Sequence, residues 1–431
     1  MSDAMPAGGD AAPPVSDNKK DSVIKTAIAE EKTDKKNLLR KITQAEAGGL
    51  LNIRNEDYFF SFLAPHEVWT HVKRPGEFLV RQTRLEENKL PDHYVICCMS
   101  ESGPAEFPIL FARSRKICYV HNLCFDTPSG LIEYHRRMRY PIDEDESFFL
   151  TTPVSKGAWL VNHAQIHKNK KLPEGSTGQV WVATLRTGVF GRQTVATKIF
   201  TPVDSQAKME PIFKLAMLMK SLVHPNIVKF IGVAVSEYPP HILTEYAVQG
   251  SMSTIVEKTP GPTVGQRESF AYDIAKGLQY LQERLIIHRD LNARNILIDS
   301  RNRAKIGDFQ NAIFGAPFRY LSPEVFKLHT YSTKSDIWSY GVVCWEIFHN
   351  GRLPYDHVDN HKDVRDYVLS GNKLTCTSQK FPTYLWKIAE ACWTYHPDKR
   401  PMIEDIIGRL KENVKEGKGF FETFWGWVMP F

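Results

Sequence analysis

Two short polar stretches in the second half of the chain carry side chains that could transfer a phosphoryl group. Asp290 and Asn295 lie five residues apart in "HRDLNARNILI", and Asp308 follows 13 residues later in "KIGDF". Carboxylate and amide oxygens are the hard ligands that Mg²⁺ prefers, and a carboxylate can also accept the proton of an attacking hydroxyl group. Lys198 in "TVATK" could neutralise an anionic substrate. Any one carboxylate is most simply a solvated surface residue, so only the ordered set indicates this chemistry.

Composition excludes several other classes of protein. The net charge of +6, from 55 basic and 49 acidic residues, does not single out nucleic acid as a partner. The seven cysteines include no CxxC pair, which indicates neither zinc nor a disulfide framework. The start, "MSDAMPAGGDAAPP", resembles neither a secretory signal nor a myristoylation site, and no long apolar run is present. These features predict a cytoplasmic location.

Patterns along the chain predict two compact units. The first, 57–140, reads as a small sheet of strands such as "EFLVRQT" and "HYVICCMS", with the amphipathic helices "PHEVWTHVK" and "PSGLIEYHRRM" before and after. The second, 158–416, begins rich in strands and becomes rich in helices. The remaining parts are predicted to be a disordered extension at 1–50, a linker at 141–157 and an aromatic tail at 417–431.

Arg81 is the candidate binding residue of the first unit. Period-two alternation in "GEFLVRQT" puts Leu79 and Arg81 on one face of the strand, and that face is expected to be largely buried. An unpaired buried guanidinium is costly, so Arg81 needs an anion. Either an Asp or Glu side chain in a structural ion pair or a bound phosphate would supply it.

"GEFLVRQT", the paired strands and "FDTPSGLIEYH" together resemble a Src-homology 2 domain. The resemblance implies that Arg81 binds phosphotyrosine bidentately and that Thr83 donates a hydroxyl hydrogen bond. Three positions depart from the family: Tyr58 replaces the opening Trp, Pro65 replaces an Arg that shares the phosphate, and Glu106 replaces a His.

The second unit resembles a protein kinase, because "VATK", "TEYAVQGS", "HRDLNARN", "IGDF", "SPE" and "SDIWSYG" follow one another in order. "HRDLNARN" and "PFRYLSPE" point to the tyrosine-specific branch, and the preceding domain points to the non-receptor class, most similar to the Fes/Fer type. The implied fold class is α+β: a Src-homology 2 fold, with a central antiparallel sheet flanked by two helices, followed by a bilobal protein kinase fold.

The kinase resemblance implies a role for each motif residue. Asp290 would accept the substrate hydroxyl proton, Arg294 would steady Asp290 and the substrate, and Asn295 and Asp308 would hold Mg²⁺. Glu324 and Arg400 would form a buried ion pair. The residues implied to bind ATP are Leu172, Gly175, Gly178, Val180, Ala196, Lys198, Glu245, Ala247 and Leu297.

Several family features are altered. Pro173 replaces the first glycine of the phosphate loop "LPEGSTGQV". Counting without gaps places Leu215 where an active kinase has the Glu that pairs with its strand lysine, so Lys198 would need another partner, for which Asp308 is the candidate. Gln310 replaces a glycine after Asp-Phe, and only 17 residues run from Asp308 to Glu324 inclusive.

These features leave two functions open. The intact catalytic residues favour a cytoplasmic protein-tyrosine kinase that uses ATP and Mg²⁺ and is targeted to phosphotyrosine-containing proteins. The altered positions favour a pseudokinase scaffold that reads phosphotyrosine and binds ATP weakly or without turnover. The tail "GFFETFWGWVMPF" could pack on the kinase unit or dock at a membrane surface or a partner.

Overall fold

The computed structural model describes most of the chain between residues 53 and 416. The described residues are 53, 56–61, 63, 65–83, 93–112, 117–121, 123–172, 178–188, 190–200, 209–235, 239–310, 318–358 and 360–416. The predicted disordered extension at 1–50 and the aromatic tail at 417–431 lie outside them. The contacts divide the chain into two compact units, one of Met1–Asn162 with Val235–Glu237 and one of the rest.

The described residues of the first unit form one six-stranded sheet and two helices. The strands follow the order β5-β4-β3-β2-β1-β6, and all neighbours are antiparallel except β1 and β6. The elements are α1 (Pro65–His71), β1 (Glu77–Thr83), β2 (His93–Ser100), β3 (Gly103–Ala112), β4 (Ile117–Val120), β5 (Leu123–Phe125), α2 (Pro128–Met138) and β6 (Thr152–Pro153).

Alternation along β1 places apolar side chains on both faces of this sheet. Phe78 and Val80 belong to a buried cluster that also contains Leu131 and Ile132 of α2. Leu79, which points the other way, is also fully buried. A strand buried on both faces accommodates Arg81 only if its charge is neutralised.

The segment predicted to be a linker contributes to this sheet. Within 141–157, Thr152 and Pro153 form β6, which pairs in parallel with Glu77 and Phe78 of β1. Its backbone therefore completes the edge of the sheet beside β1.

The second unit begins with a five-stranded antiparallel sheet of order β10-β11-β9-β8-β7, and α3 packs against β10. The β8–β9 hairpin pairs Val180 with Lys198 and Val182 with Ala196. The elements are β7 (Ile166–Lys171), β8 (Gln179–Thr187), β9 (Gly191–Ile199), α3 (Met209–Ser221), β10 (Phe230–Ala234) and β11 (His241–Glu245).

The rest of the second unit is helical around a three-stranded sheet of order β12-β13-β14. The elements are β12 (Gly250–Ser251), α4 (Met252–Val256), α5 (Val264–Glu283), β13 (Ile296–Ile298), β14 (Ala304–Ile306), α6 (Pro323–Leu328), α7 (Thr333–Phe348), α8 (His361–Leu369), α9 (Thr383–Cys392) and α10 (Ile403–Glu416).

Helix α7 is the centre of this helical part. Every residue from Ser335 to Phe348 is buried, and the helix packs against α4, α5 and α9. A helix that is buried on all sides must satisfy its polar side chains internally. None of the helices in the described part of the chain is long and apolar enough to cross a membrane.

Candidate active site

The loop between α5 and β13 holds Asp290 in a fixed orientation. Asp290 is buried, and each of its carboxylate oxygens accepts a hydrogen bond from an amide: Oδ1 from Asn292 Nδ2 at 2.6 Å and Oδ2 from Asn295 Nδ2 at 2.8 Å. Asn292 Oδ1 in turn accepts hydrogen bonds from the backbone N–H groups of Arg294 and Asn295. A single loop therefore orients a carboxylate and an amide for chemistry.

Two carboxylates of α7 accept hydrogen bonds from the backbone of this loop. Asp336 accepts hydrogen bonds from the backbone N–H of His288 at 2.7 Å and from that of Arg289 at 3.0 Å. Glu346 accepts one from the backbone N–H of Ala293 at 3.1 Å. Charge-assisted hydrogen bonds in a buried setting are among the stronger ones, so α7 fixes both ends of the segment that carries Asp290.

Glu346 also binds Tyr320, whose hydroxyl group donates to Oε1 at 2.9 Å. Burial raises the pKa of Glu346 to about 7, although the hydrogen bonds from Tyr320 and Ala293 act in the opposite direction. Burial and the Glu346 charge raise the pKa of Tyr320 well above its usual value. Tyr320 is thus an interior structural side chain that joins the segment before α6 to α7.

Lys198 of β9 and Asp308, which follows β14, form an ion pair between the two sheets of this unit. Lys198 Nζ donates to both carboxylate oxygens of Asp308, at 2.8 and 2.9 Å. Leu215, on α3, is buried and 2% exposed. The expectation that Lys198 pairs with Asp308 in place of a glutamate is therefore met.

The backbone around Asp308 is tightly constrained. Asp308 has a φ of 55°, in the left-handed region. Phe309 is buried against the ring of His288, which hydrogen-bonds the Gly307 carbonyl oxygen at 2.9 Å. The side chain of Gln310 is buried, and its Oε1 makes no hydrogen bond with the described residues. From this turn the Asp308 carboxylate reaches Lys198.

The remaining predicted nucleotide residues that are described lie on or beside strands of both sheets of this unit. Val180, Ala196 and Lys198 lie on the β8–β9 hairpin, whereas Leu297 lies on β13 of the other sheet. Gly178 has a φ of 137°, and a Cβ there would lie 2.6 Å from the Ile199 carbonyl oxygen. Gly175 lies outside the described residues.

Glu245 and Ala247 belong to the connection between the two sheets. The Glu245 carboxylate accepts a hydrogen bond from Lys305 Nζ at 2.7 Å and one from the backbone N–H of Lys229 at 2.7 Å. This ion pair joins β11 of the first sheet to β14 of the second. Of the other predicted residues, Leu172 donates its backbone N–H to the Val180 carbonyl oxygen, and Ala247 is buried.

Comparison with known proteins identifies the family. Residues 166–410, more than half of the chain, match the family model described as protein tyrosine and serine/threonine kinase. The chain belongs to this kinase family. The predicted bilobal protein kinase fold is thereby confirmed for the second unit.

Several proteins similar to this kinase are named as kinases of the Fer type or as tyrosine-protein kinases. Fer-related kinase 1 of Caenorhabditis elegans is 30% identical over 395 residues, which cover 88% of this chain and 99% of the relative. Tyrosine-protein kinase Fer of Mus musculus is 28% identical over 372 residues, or 83% of this chain and 44% of the relative. Cytoplasmic tyrosine-protein kinase BMX of Mus musculus is 30% identical over 325 residues, or 70% of this chain and 49% of the relative. The predicted likeness to the Fes/Fer type is confirmed.

Other predicted features of the kinase unit also have clear positions. Arg294 is exposed beside Asp290. Glu324 and Arg400 form the expected buried ion pair, with two hydrogen bonds of 2.7 Å. The guanidinium of Arg289 lies 5.2 Å from the centre of the Tyr331 ring. Residues 311–317 lie outside the described part, so the form of the short segment after Gln310 stays a prediction.

Three structural partners of the site were missed at the sequence level. Asn292 could have been found as an amide placed two residues after Asp290. Asp336 and Glu346 could have been found as two carboxylates within the otherwise apolar stretch "SDIWSYGVVCWEIF", because buried carboxylates need hydrogen-bond partners.

The candidate socket of the first unit contains an ion pair. Arg81 Nη2 donates to the two carboxylate oxygens of Glu106, at 2.8 and 3.1 Å. The structural ion pair, one of the two anions considered for Arg81, is the arrangement seen. The side chain of Thr83 lies outside the described residues.

Proposed function

We propose that this chain is a protein-tyrosine kinase that transfers the ATP γ-phosphate to the hydroxyl group of protein tyrosine. The observation that carries the proposal is a set of contacts that links the four candidate residues: Lys198 pairs with Asp308, Asn295 bonds Asp290, and the backbone N–H of Gly307, next to Asp308, donates to the Asn295 carbonyl oxygen at 2.8 Å. Two amides hold Asp290, and Asp308 lies in a left-handed turn. Fixed geometry of this kind is what positional and electrostatic catalysis of phosphoryl transfer requires.

The donor set suits ATP with Mg²⁺. Asn295 uses its amide nitrogen to bond Asp290, at 2.8 Å to both the backbone oxygen and Oδ2, and this leaves its amide oxygen for a cation. Asp308 supplies a carboxylate, so both ligands are oxygens, as Mg²⁺ prefers. A bound Mg²⁺ would neutralise charge on the phosphates.

The side chains of this protein would then have separate roles in the reaction. Lys198 would exchange one anion for another, turning from Asp308 to the ATP phosphates and releasing Asp308. Asp290 would accept the proton of the tyrosine hydroxyl group, while Asn292 and Asn295 hold its orientation. The half-buried Val180, Ala196 and Leu297 would enclose the adenine and exclude water.

The test of this function is transfer of labelled phosphate from Mg-ATP to a tyrosine peptide by the purified chain. Asp290→Asn, which keeps the shape of the side chain and removes its basicity, is the control. Transfer by the unaltered chain well above the control supports the kinase function. Equal transfer by the two proteins refutes it.

A second candidate, a pseudokinase that binds ATP without turnover, is favoured by Leu215 and by the Lys198–Asp308 ion pair. A lysine without a glutamate partner neutralises the residue that should hold the metal ion. Both candidates predict that Mg-ATP raises the melting temperature of the chain and that Lys198→Met removes this rise, because the charge that attracts the phosphates is gone.

The matched control for Lys198→Met is Lys170→Met, which alters an exposed lysine of the same sheet. An unchanged melting temperature with Mg-ATP in the unaltered chain contradicts both nucleotide-binding candidates and leaves an adaptor. A rise in melting temperature without phosphate transfer selects the pseudokinase.

We further propose that the first unit is a Src-homology 2 domain that directs the kinase to phosphotyrosine-containing proteins in the cytoplasm, through Arg81 and Thr83. The support is the sheet with Arg81 buried on β1 and the long helix α2 against Phe78 and Val80. Arg81→Ala should abolish binding of phosphotyrosine peptides, whereas unchanged affinity would refute the role of Arg81. The aromatic tail at 417–431 is proposed to pack on its own kinase unit, with peripheral membrane contact as the alternative.

A further inference from the structure

The ion pair in the first unit crosses an intervening strand. Arg81 lies on β1 opposite Val95 of β2, and Glu106 lies on β3 opposite Cys97 of β2. Two strand spacings separate β1 from β3 by about 9–10 Å. The two long side chains therefore reach toward each other over β2 and meet on the face of the sheet that carries Arg81.

Arg81 has no other way to neutralise its charge in the described structure. Its side chain is 6% exposed, and its Nη2 donates to the Glu106 carboxylate. Among the described residues, the buried Nε of Arg81 has no hydrogen-bond partner. The Arg81 guanidinium therefore donates only some of its N–H groups to Glu106, whereas a phosphate could accept two parallel N–H bonds from it.

A thiol group lies beside the Glu106 carboxylate. Cys97 Sγ lies 3.8 Å from Glu106 Oε1. Burial and the Glu106 charge raise the pKa of the Cys97 thiol to about 12, so the thiol stays neutral and can donate a weak hydrogen bond. The carboxylate is therefore held between one cation and one neutral donor.

We infer that Glu106 is a built-in competitor of phosphotyrosine, occupying the guanidinium of Arg81 until a phosphate displaces it. The inference rests on the proposed function of the first unit as a phosphotyrosine-binding domain. A phosphotyrosine group brings up to two negative charges and three acceptor oxygens, so it can use the Nε that Glu106 leaves unpaired. Each binding event must first separate Arg81 from Glu106, and this lowers the affinity.

The side chain of Glu106 can move away from Arg81 into solvent. Its side chain is 34% exposed, in contrast to the 6% of Arg81. The carboxylate can therefore rotate into solvent while the guanidinium stays in place. Once displaced, it would still lie near the phosphate, and the repulsion between the two like charges further weakens binding.

The experiment compares the full chain with Glu106→Gln, which removes the charge and keeps the size of the side chain. The probes are phenyl phosphate and a degenerate pool of phosphotyrosine peptides, with the unphosphorylated pool as reference. Glu101→Gln is the matched control, since Glu101 is exposed in the turn between β2 and β3. Binding to Glu106→Gln should be at least ~10-fold tighter than to the unaltered chain, a difference of about 1.4 kcal/mol, and Glu101→Gln should not change it.

A double variant tests whether the gain in affinity depends on Arg81. Arg81→Ala combined with Glu106→Gln should lose the gain in phosphotyrosine affinity, because the phosphate then has no guanidinium to bind. In the absence of ligand, Glu106→Gln should melt at a lower temperature than the unaltered chain, since Arg81 is left without a counter-ion, and phenyl phosphate should reverse the loss. If Glu106→Gln does not fold, Glu106→Asp, whose shorter carboxylate reaches Arg81 less well, should bind the peptide pool more tightly than the unaltered chain.

The outcomes separate this inference from the function on which it rests. If the unaltered chain binds phosphotyrosine as tightly as the Glu106 variants or more tightly, Glu106 is not a competitor. The proposed function of the domain is then unaffected. Folded proteins that all fail to prefer the phosphorylated pool overturn both. Neither result bears on phosphate transfer by the second unit, which has its own assay.

Discussion

The ion pair between Glu324 and Arg400 offers a prediction whose size follows from the structure. Arg400 Nη1 and Nη2 each donate to one oxygen of Glu324 at 2.7 Å, and the side chains are 0% and 13% exposed. Removing one partner of a buried pair leaves an uncompensated charge, which typically costs 3–5 kcal/mol. The change Glu324→Gln removes this counter-charge.

Three features place the expected loss at the lower end of that range. Arg400 also donates to the backbone oxygens of Thr394, Lys334 and Tyr395, and its guanidinium lies 5.1 Å from the centre of the Trp338 ring. A glutamine at the position can still accept one hydrogen bond. The free energy of unfolding should therefore fall by about 3 kcal/mol, which corresponds to a melting temperature lower by about 6–12 °C.

The pH dependence of this loss has a definite sign. Burial raises the pKa of Glu324, but the hydrogen bonds from Arg400 and Ser322 outweigh burial and hold the pKa below its usual value. A carboxyl group with a lowered pKa stabilises the fold above its unfolded pKa, and this contribution disappears as the pH falls through the folded value. The difference between the two proteins should thus shrink under acidic conditions.

The assay is urea unfolding at neutral and at acidic pH, followed by tryptophan fluorescence. Glu390→Gln, on an exposed position of α9, is the control and should change the unfolding midpoint little. A loss below about 1 kcal/mol for Glu324→Gln at neutral pH, the range of exposed pairs, would refute the reasoning. So would a loss that grows as the pH falls.

Two further predictions concern the site itself. Because the pKa of Glu346 is raised to about 7, the unaltered chain should lose stability as the pH rises from about 4.5 to about 7. The free energy of unfolding of Glu346→Gln, measured with urea, should therefore rise relative to that of the unaltered chain across this pH range. A constant difference between the two proteins would contradict the role given to burial. Gly178→Ala would bring a Cβ within 2.6 Å of the Ile199 carbonyl oxygen at a φ of 137°, and it should lower both the melting temperature and, by ~10-fold, the ATP affinity. Gly265→Ala, which meets open space in α5, should leave both nearly unchanged, and equal behaviour of the two glycine variants would refute the role of the turn.

The sequence predicted local elements and the contacts implied by the kinase motifs well. The stretches "EFLVRQT" and "HYVICCMS" form β1 and β2 over the expected residues, because strand alternation is a local property of the chain. The pairing of Lys198 with Asp308 followed from the absence of a glutamate at Leu215. An ordered set of motifs also located Asp290 and Asn295 in one loop.

Hydrogen-bond partners that depend on strand register or on distant helices could not be predicted from local sequence patterns. The need of Arg81 for an anion was predictable, but its partner Glu106 follows from a register in which β3 lies two strands away. In the same way, the buried carboxylates of Asp336 and Glu346 receive their partners from a loop more than 40 residues earlier in the chain.

The central claim is that the cleft around Asp290 performs phosphoryl transfer. The most direct measurement is the initial rate of phosphotyrosine formation on a peptide from Mg-ATP, with the unaltered chain and Asp290→Asn assayed side by side. A general base contributes about 10²–10⁴-fold, so the two rates should differ by a factor of at least ~100. A ratio near one, with both proteins folded, would contradict it.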